Sequence, residues 1–169
     1  MRVLGIDPGL AIVGFGLVEE AQGSFRKIDY GHISTSAGME RCQRLNVIYS
    51  NVRLLITKFS PNEIAVEKLF FCKNVRTALQ VGEARGAIFT AAARENTPVF
   101  EYTPLQVKQA VAGYGRAGKK QVQQMVTQLL RLEEVPKPDD AADALAIALC
   151  HLQSYRWQRL TSNPSPKKP

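Results

Sequence analysis

Four carboxylates stand where their neighbours in the chain would hold them still. Asp7 closes the apolar run Val3-Leu4-Gly5-Ile6 and is followed by Pro8-Gly9, a turn signal. Glu67 closes a second apolar run, Ile64-Ala65-Val66. Asp140 and Asp143 open a long Ala/Leu-rich stretch. Three residues apart on a helix, they project within about 60° of each other. A strand ending on an acid delivers it to the rim of a sheet. A helix beginning with acids presents them at its positively polarised end. Where such rims meet, four like charges need cations. Oxygen-only ligands with open positions suit Mg²⁺, with Mn²⁺ as a substitute. Two such ions about 4 Å apart activate a water and stabilise the leaving oxygen in phosphodiester cleavage.

Part of this set has a blander explanation. Asp139 and Asp140 both suit a helix N-cap. Capping does not account for Asp143, which lies beyond the cap, inside the apolar stretch. Ala144, Ile147, Cys150 and His151 share its face, while Leu145, Leu149 and Leu152 lie nearly opposite. A helix apolar on both sides packs on both sides. His151 reads as a packed core histidine, His32 shows no evident partner, and Cys72 and Cys150 read as small apolar fillers.

The elements that position these groups follow from periodicity. Strands are expected at 2–7, 12–19 and 25–34, with the first two paired around the Asp-Pro-Gly turn. A helix over 39–59 precedes the strand that ends on Glu67. A loop then leads to a helix over 77–95, and a fifth strand covers 98–102. Thr103-Pro104-Leu105-Gln106 carries the marks of a capping box and starts a helix to Ala112. A Gly-rich loop over 113–118 leads to a helix over 119–134. The last helix starts at Asp139 or Asp140 and runs to Gln158. An antiparallel meander followed by strand–helix–strand crossovers is an α/β arrangement, a mixed five-stranded sheet flanked by helices. Residues 1–158 read as one domain, and 159–169 as a disordered basic Ser/Pro/Lys tail. Gly82 and Gly86 sit four apart in a helix, where each costs about 1 kcal/mol against Ala. Close packing against that face would offset the cost.

The chain of 169 residues suits a single core, and its 22 Lys and Arg exceed its 15 Asp and Glu to give a net charge of +7. Such an excess favours a polyanionic partner. Its three scattered cysteines show neither metal spacing nor a disulfide framework and fit a reducing cytoplasm. No leading signal segment and no membrane-length apolar run is evident. Between Tyr102 and Leu132 there is no Asp or Glu, but there are Lys108, Arg116, Lys119, Lys120 and Arg131. That stretch reads as a phosphate-tracking surface, or as a solvated helix face. Lys73, Asn74 and Arg76 extend a basic rim near Phe70 and Phe71, of which one is expected to pack into the core.

These motifs, in this order, resemble the RuvC family of Holliday junction resolvases on an RNase H-like fold. The likeness is carried by Gly5-Ile6-Asp7-Pro8-Gly9, Val66-Glu67-Lys68-Leu69-Phe70, Lys73-Asn74, Ala84-Arg85-Gly86, Thr103-Pro104, Val107-Lys108, Lys119 and Asp140-Ala141-Ala142-Asp143-Ala144-Leu145-Ala146. It covers nearly the whole chain up to the tail. It implies a Mg²⁺-dependent endonuclease that nicks four-way junctions symmetrically in recombination and repair, leaving 5′-phosphate and 3′-hydroxyl ends. It also implies metal binding by Asp7, Glu67, Asp140 and Asp143 and phosphate contacts from Lys108 and Lys119. Lys119 would stabilise charge on the scissile phosphate, and Phe70 would stack at the branch point. A homodimer follows from the resemblance, as does a partnership with the RuvA-RuvB branch-migration complex. Two alternatives share parts of the pattern. An RNase H-like nuclease acting on RNA would share the acids. A sugar-kinase or actin-like ATPase would share the strand–Asp–turn opening, but needs a second Gly-rich lobe that this chain lacks.

Overall fold

The computed structural model describes residues 1–69 and 75–162. Among them, β1 (Arg2–Asp7), β2 (Ile12–Ala21) and β3 (Ser24–Ser34) form the expected meander. They are followed by α1 (Arg41–Phe59), β4 (Glu63–Glu67), α2 (Val75–Arg94), β5 (Val99–Tyr102), α3 (Pro104–Ala112), α4 (Lys119–Leu129) and α5 (Asp139–Ser162). The strands form one sheet in the order β3-β2-β1-β4-β5. β4 lies parallel to both β1 and β5. Asp7 and Glu67, the last residues of two neighbouring parallel strands, therefore finish at the same edge.

Strand alternation decides which way they point. Leu4 and Ile6 of β1, with Ile64 and Val66 of β4, belong to a core shared with α1 and α2. Val3 and Ala65 belong to the opposite core, formed with α3, α4 and α5. The odd positions Val3, Gly5 and Asp7, and likewise Glu63, Ala65 and Glu67, thus face α5.

α5 lies unusually close to the sheet. It packs against all five strands and against α3 and α4, and from Ala141 to Leu152 every residue but Asp143 is buried. Glycines make the floor beneath it. A Cβ on Gly5 would sit 2.1 Å from the carbonyl oxygen of Ala144, and one on Gly14 would sit 2.0 Å from that of Asp140. A Cβ on Gly16 would sit 2.7 Å from the Leu145 nitrogen. Gly5 pairs with Gly16 across β1 and β2, and Asp7 pairs with Gly14. The alanines of α5 (Ala141, Ala144 and Ala148 among them) complete a small-on-small contact. Backbone meets backbone there, so the helix has no freedom to slide.

Several boundaries differ from the sequence expectation. α1 begins at Arg41 instead of residue 39, because Glu40 is extended at the cap position. α4 ends at Leu129 instead of Glu134. Arg131 turns left-handed (φ 52), and the Leu132 amide donates to the Thr127 carbonyl at 2.9 Å. Leu130 still points into the core, so the apolar signal outlasts the helix. α5 continues past Gln158 to Ser162, taking in the first residues assigned to the tail. Residues 163–169 lie outside the described residues. The close neighbour expected at Gly82 and Gly86 is not found among the described residues, where a Cβ at either would meet nothing within 4 Å. The Thr103 capping box forms as expected.

Gly14→Ala should lower stability in urea denaturation by about 1–3 kcal/mol, because the new methyl overlaps helix backbone that cannot rotate away. At the exposed Gly38, a Cβ would meet only Ser36 Oγ at 3.8 Å. Gly38→Ala should therefore stay within about 0.5 kcal/mol of the parent. Equal effects at the two positions would contradict the tight seating of α5.

Candidate active site

The glycine floor brings the acids together. Gly14 is the register partner of Asp7, and the main chain of Asp140 lies directly on Gly14. The first turn of α5 thus stands over the end of β1, with Asp7 and Glu67 pointing toward it. The carboxyls accordingly influence one another. Burial raises the carboxyl of Asp7 to about 7, and the neighbouring Glu67, Asp143 and Asp140 push the same way, opposed by Lys119. Glu67 is raised by burial and by Asp143, against Lys108 and Arg85. Asp143 is raised chiefly by burial, against the pull of Lys119.

Lys119 is the cation paired with the α5 acids at this centre. It opens α4, and its Nζ lies 3.1 Å from Asp143 Oδ2 and 3.2 Å from Asp139 Oδ2. Partial burial works against its charge, but the hydrogen bonds and charges of Asp143 and Asp139 prevail and raise its pKa. Asp139, read from sequence as a cap, is the first residue of α5, and its carboxylate meets Lys119. Glu67, Asp143, Lys108 and Lys119 line one cavity of about 220 Å³, floored by Val107, Val122, Ala146 and Ile147. Acids and lysines thus share an apolar-bottomed recess between β4, α3, α4 and α5.

Comparison with known proteins agrees with this geometry. Residues 3–151 match the family described as Crossover junction endodeoxyribonuclease RuvC. The chain belongs to the RuvC family. The RuvC of Halothermothrix orenii is 57% identical over 94% of this chain and 96% of its own length. That of Moorella thermoacetica is 58% identical over 94% and 95%. Among solved structures, Thermus thermophilus RuvC in complex with Holliday junction substrate superposes with a TM-score of 0.89 at 40% identity, covering 93% of this chain and 96% of that one. The RNase H-like fold is shared throughout.

RuvC-family nucleases depend on metal, and the donor set here fits a hard divalent ion. Among the described residues no three acidic, histidine or cysteine groups already form a cage at ligand distance. Asp143 instead turns to Lys119. The fit lies in donor type and charge: oxygen ligands only, gathered so closely that burial and mutual repulsion hold Asp7 near neutrality.

Of the other expected contacts, Phe70, Lys73 and Asn74 lie outside the described residues, as do Phe71 and Cys72. Arg76 is exposed near the start of α2 and borders a separate groove with Arg41 and Arg44. Arg116 and Lys120 are exposed and do not line the acidic recess. His151 is buried as expected, with Glu63 Oε2 on Nε2 and the Tyr102 hydroxyl 2.8 Å from Nδ1. Two features escaped sequence reasoning. Gly14 and Gly16 bracket Phe15 in a strand, a spacing that marks one face as bare. Arg85, known from sequence only as part of the Ala84-Arg85-Gly86 motif and given no role there, is a buried arginine beside Glu67.

Asp7 makes the folded protein pH-dependent. Its carboxyl titrates near 7 folded against 3.8 ordinarily. The folded state therefore binds the proton more tightly. The stabilisation that proton brings declines as pH rises across that window and is lost above it. Without metal, Asp7→Asn should be more stable than the parent by about 1–3 kcal/mol above pH 7, the gap closing toward pH 4. Added Mg²⁺ should raise the melting temperature of the parent more than that of the variant. A pH-independent difference in stability would contradict the buried-carboxylate assignment.

Proposed function

We propose that this RuvC-family endonuclease resolves four-way DNA junctions by paired symmetric nicks. The observation that carries this reading is the convergence of Asp7, Glu67, Asp140 and Asp143 from three separate elements beside Lys119. The Thermus relative bound to a Holliday junction supports the substrate class.

In this reading Asp7, Glu67, Asp140 and Asp143 hold two Mg²⁺ ions per subunit, with Mn²⁺ as a substitute. When bound, the metal supplies Lewis acidity at the scissile phosphate and lowers the pKa of the attacking water. The protein's own groups do the rest. The four carboxylates fix where the cations and the phosphate meet. Lys119, whose ammonium sits 3.1 Å from Asp143 at the mouth of the recess, would meet a phosphate oxygen there. Lys108 contacts the adjoining phosphate from α3. The apolar floor of Val107 and Val122 limits water there, which strengthens each charge contact. Cleavage leaves 5′-phosphate and 3′-hydroxyl ends, as a ligase requires.

The remaining contacts extend outward. Phe70 stacks at the branch point, and Lys73, Asn74, Arg76, Arg116 and Lys120 track phosphates along the arms. A junction has approximate two-fold symmetry, so a C2 homodimer offers one site to each of two opposed strands. Gly82 and Gly86 of α2, which meet no other described residue, offer a surface for such a partner. The RuvA-RuvB complex is the cellular partner in this scheme. The free Cys42 and Cys150 suit a cytoplasmic setting, and among the described residues no helix is long and apolar enough to cross a membrane. The nuclease domain extends through the end of α5 at Ser162, with the rest of the basic tail beyond.

A synthetic four-way junction, a linear DNA duplex and an RNA duplex incubated side by side with Mg²⁺ test the proposal. The parent should nick the junction alone, at symmetric positions. Asp7→Asn should bind the junction without cutting it, and Lys119→Ala should cut about 100-fold more slowly. Cutting that survives Asp7→Asn, or a preference for RNA, would refute the reading.

A further inference from the structure

The Glu67 main chain carries an oddity that the acids alone do not explain. The Ile64 amide donates to Pro98 and the Lys68 amide to Tyr102, so even positions of β4 bond toward β5. By strand alternation, the polar groups of Glu67 bond toward β1. The parallel register sets Ile6 beside Val66, and its next step sets Asp7 beside Glu67. In a parallel ladder the Glu67 carbonyl would then accept from residue 8 of the neighbouring strand. Residue 8 is a proline and has no N–H to give. The turn that aims Asp7 thereby removes a ladder donor from Glu67.

Arg85 fills that gap from the other face of the sheet. Its Nη1 donates to the Glu67 carbonyl and its Nη2 to the Glu101 carboxylate of β5. The side chain is buried in α2, and its guanidinium lies 5.0 Å from the Phe89 ring centre. An unpaired buried carbonyl would let the strand end shift to find a partner. A guanidinium fork held by Glu101 supplies a donor fixed in direction.

We propose that Arg85 is a positioning residue for the metal site: it holds the end of β4 in place of the donor lost at Pro8, and so sets where the Glu67 carboxylate stands relative to Asp7. This rests on the reading of Glu67 as a metal ligand. Arg85 touches neither metal nor DNA in this role. It acts on the far side of the sheet, through the main chain.

The test compares the parent with Arg85→Met, Arg85→Lys, Glu101→Gln and Glu67→Gln. Three quantities are read: the Mg²⁺ concentration that half-saturates junction cleavage, Mn²⁺ binding to the free protein by electron paramagnetic resonance, and junction affinity in EDTA. Arg85→Met should raise the Mg²⁺ requirement and weaken Mn²⁺ binding by about 10- to 100-fold. Its junction affinity without metal should stay within about twofold of the parent, a split that general damage to the fold would not give. Arg85→Lys, with a point charge for a fork, should fall between the two. Should Arg85→Met fail to fold, Glu101→Gln carries the test, with a smaller rise in Mg²⁺ requirement expected. Unchanged metal dependence in the folded variants overturns the proposal. Glu67→Gln separates the two levels: parental Mn²⁺ binding and cutting in that variant would remove Glu67 from the site itself.

Discussion

Backbone-to-backbone contact between α5 and the sheet is the constraint on which the rest of the structure depends. Helices usually rest on sheets through side chains, which leave a few ångströms of adjustable space. Here Gly5, Gly14 and Gly16 remove that layer, and the alanines of α5 remove it from the other side. The helix is left with one position and one register. Its acids begin at the end that overlies Gly14, the strand partner of Asp7. A residue slip in this contact would carry Asp140 and Asp143 about 100° around the helix axis and away from Asp7. The site therefore inherits its precision from the least reactive residues in the chain.

The same arrangement opposes its own charges. Asp7 and Glu67 are driven together by parallel strands, then covered by a helix bearing two more acids. Burial and repulsion hold the Asp7 carboxyl near neutrality. Lys119 relieves part of this from α4 by pairing with Asp143 and Asp139. Folding energy from two apolar cores, one on each face of the sheet, holds the acids where electrostatics alone would separate them. In the proposed reading such a site would take up divalent cations, which would convert its main source of strain into attraction.

Much of this was legible in the sequence because it depends on local signals. Apolar runs stopping at Asp7 and Glu67 gave both the strands and the rim. The double-sided apolarity after Asp143 marked α5 as central, and burial from Ala144 to Leu152 bears that out. The capping box at Thr103 fixed the start of α3. What stayed hidden depends on long-range contacts. The apolar pattern of Val122, Val126, Leu129 and Leu130 carried α4 on to Glu134, because Leu130 still meets the core after the helix has ended. Gly82 and Gly86 resemble a packing face as strongly as Gly14 and Gly16 do, yet among the described residues the strand pair is covered and the helix pair is not. The pairing of Arg85 with the Glu67 carbonyl needs the sheet register before it can be seen at all.

Anomalous diffraction from crystals of this protein soaked in Mn²⁺ is the most direct measurement of the central claim. Metal peaks about 2.0–2.2 Å from carboxylate oxygens of Asp7, shared with Glu67 on one side and with Asp140 or Asp143 on the other, are expected. Metal bound elsewhere with Asp7 unliganded, or an α5 lifted away from Gly14, would contradict the account.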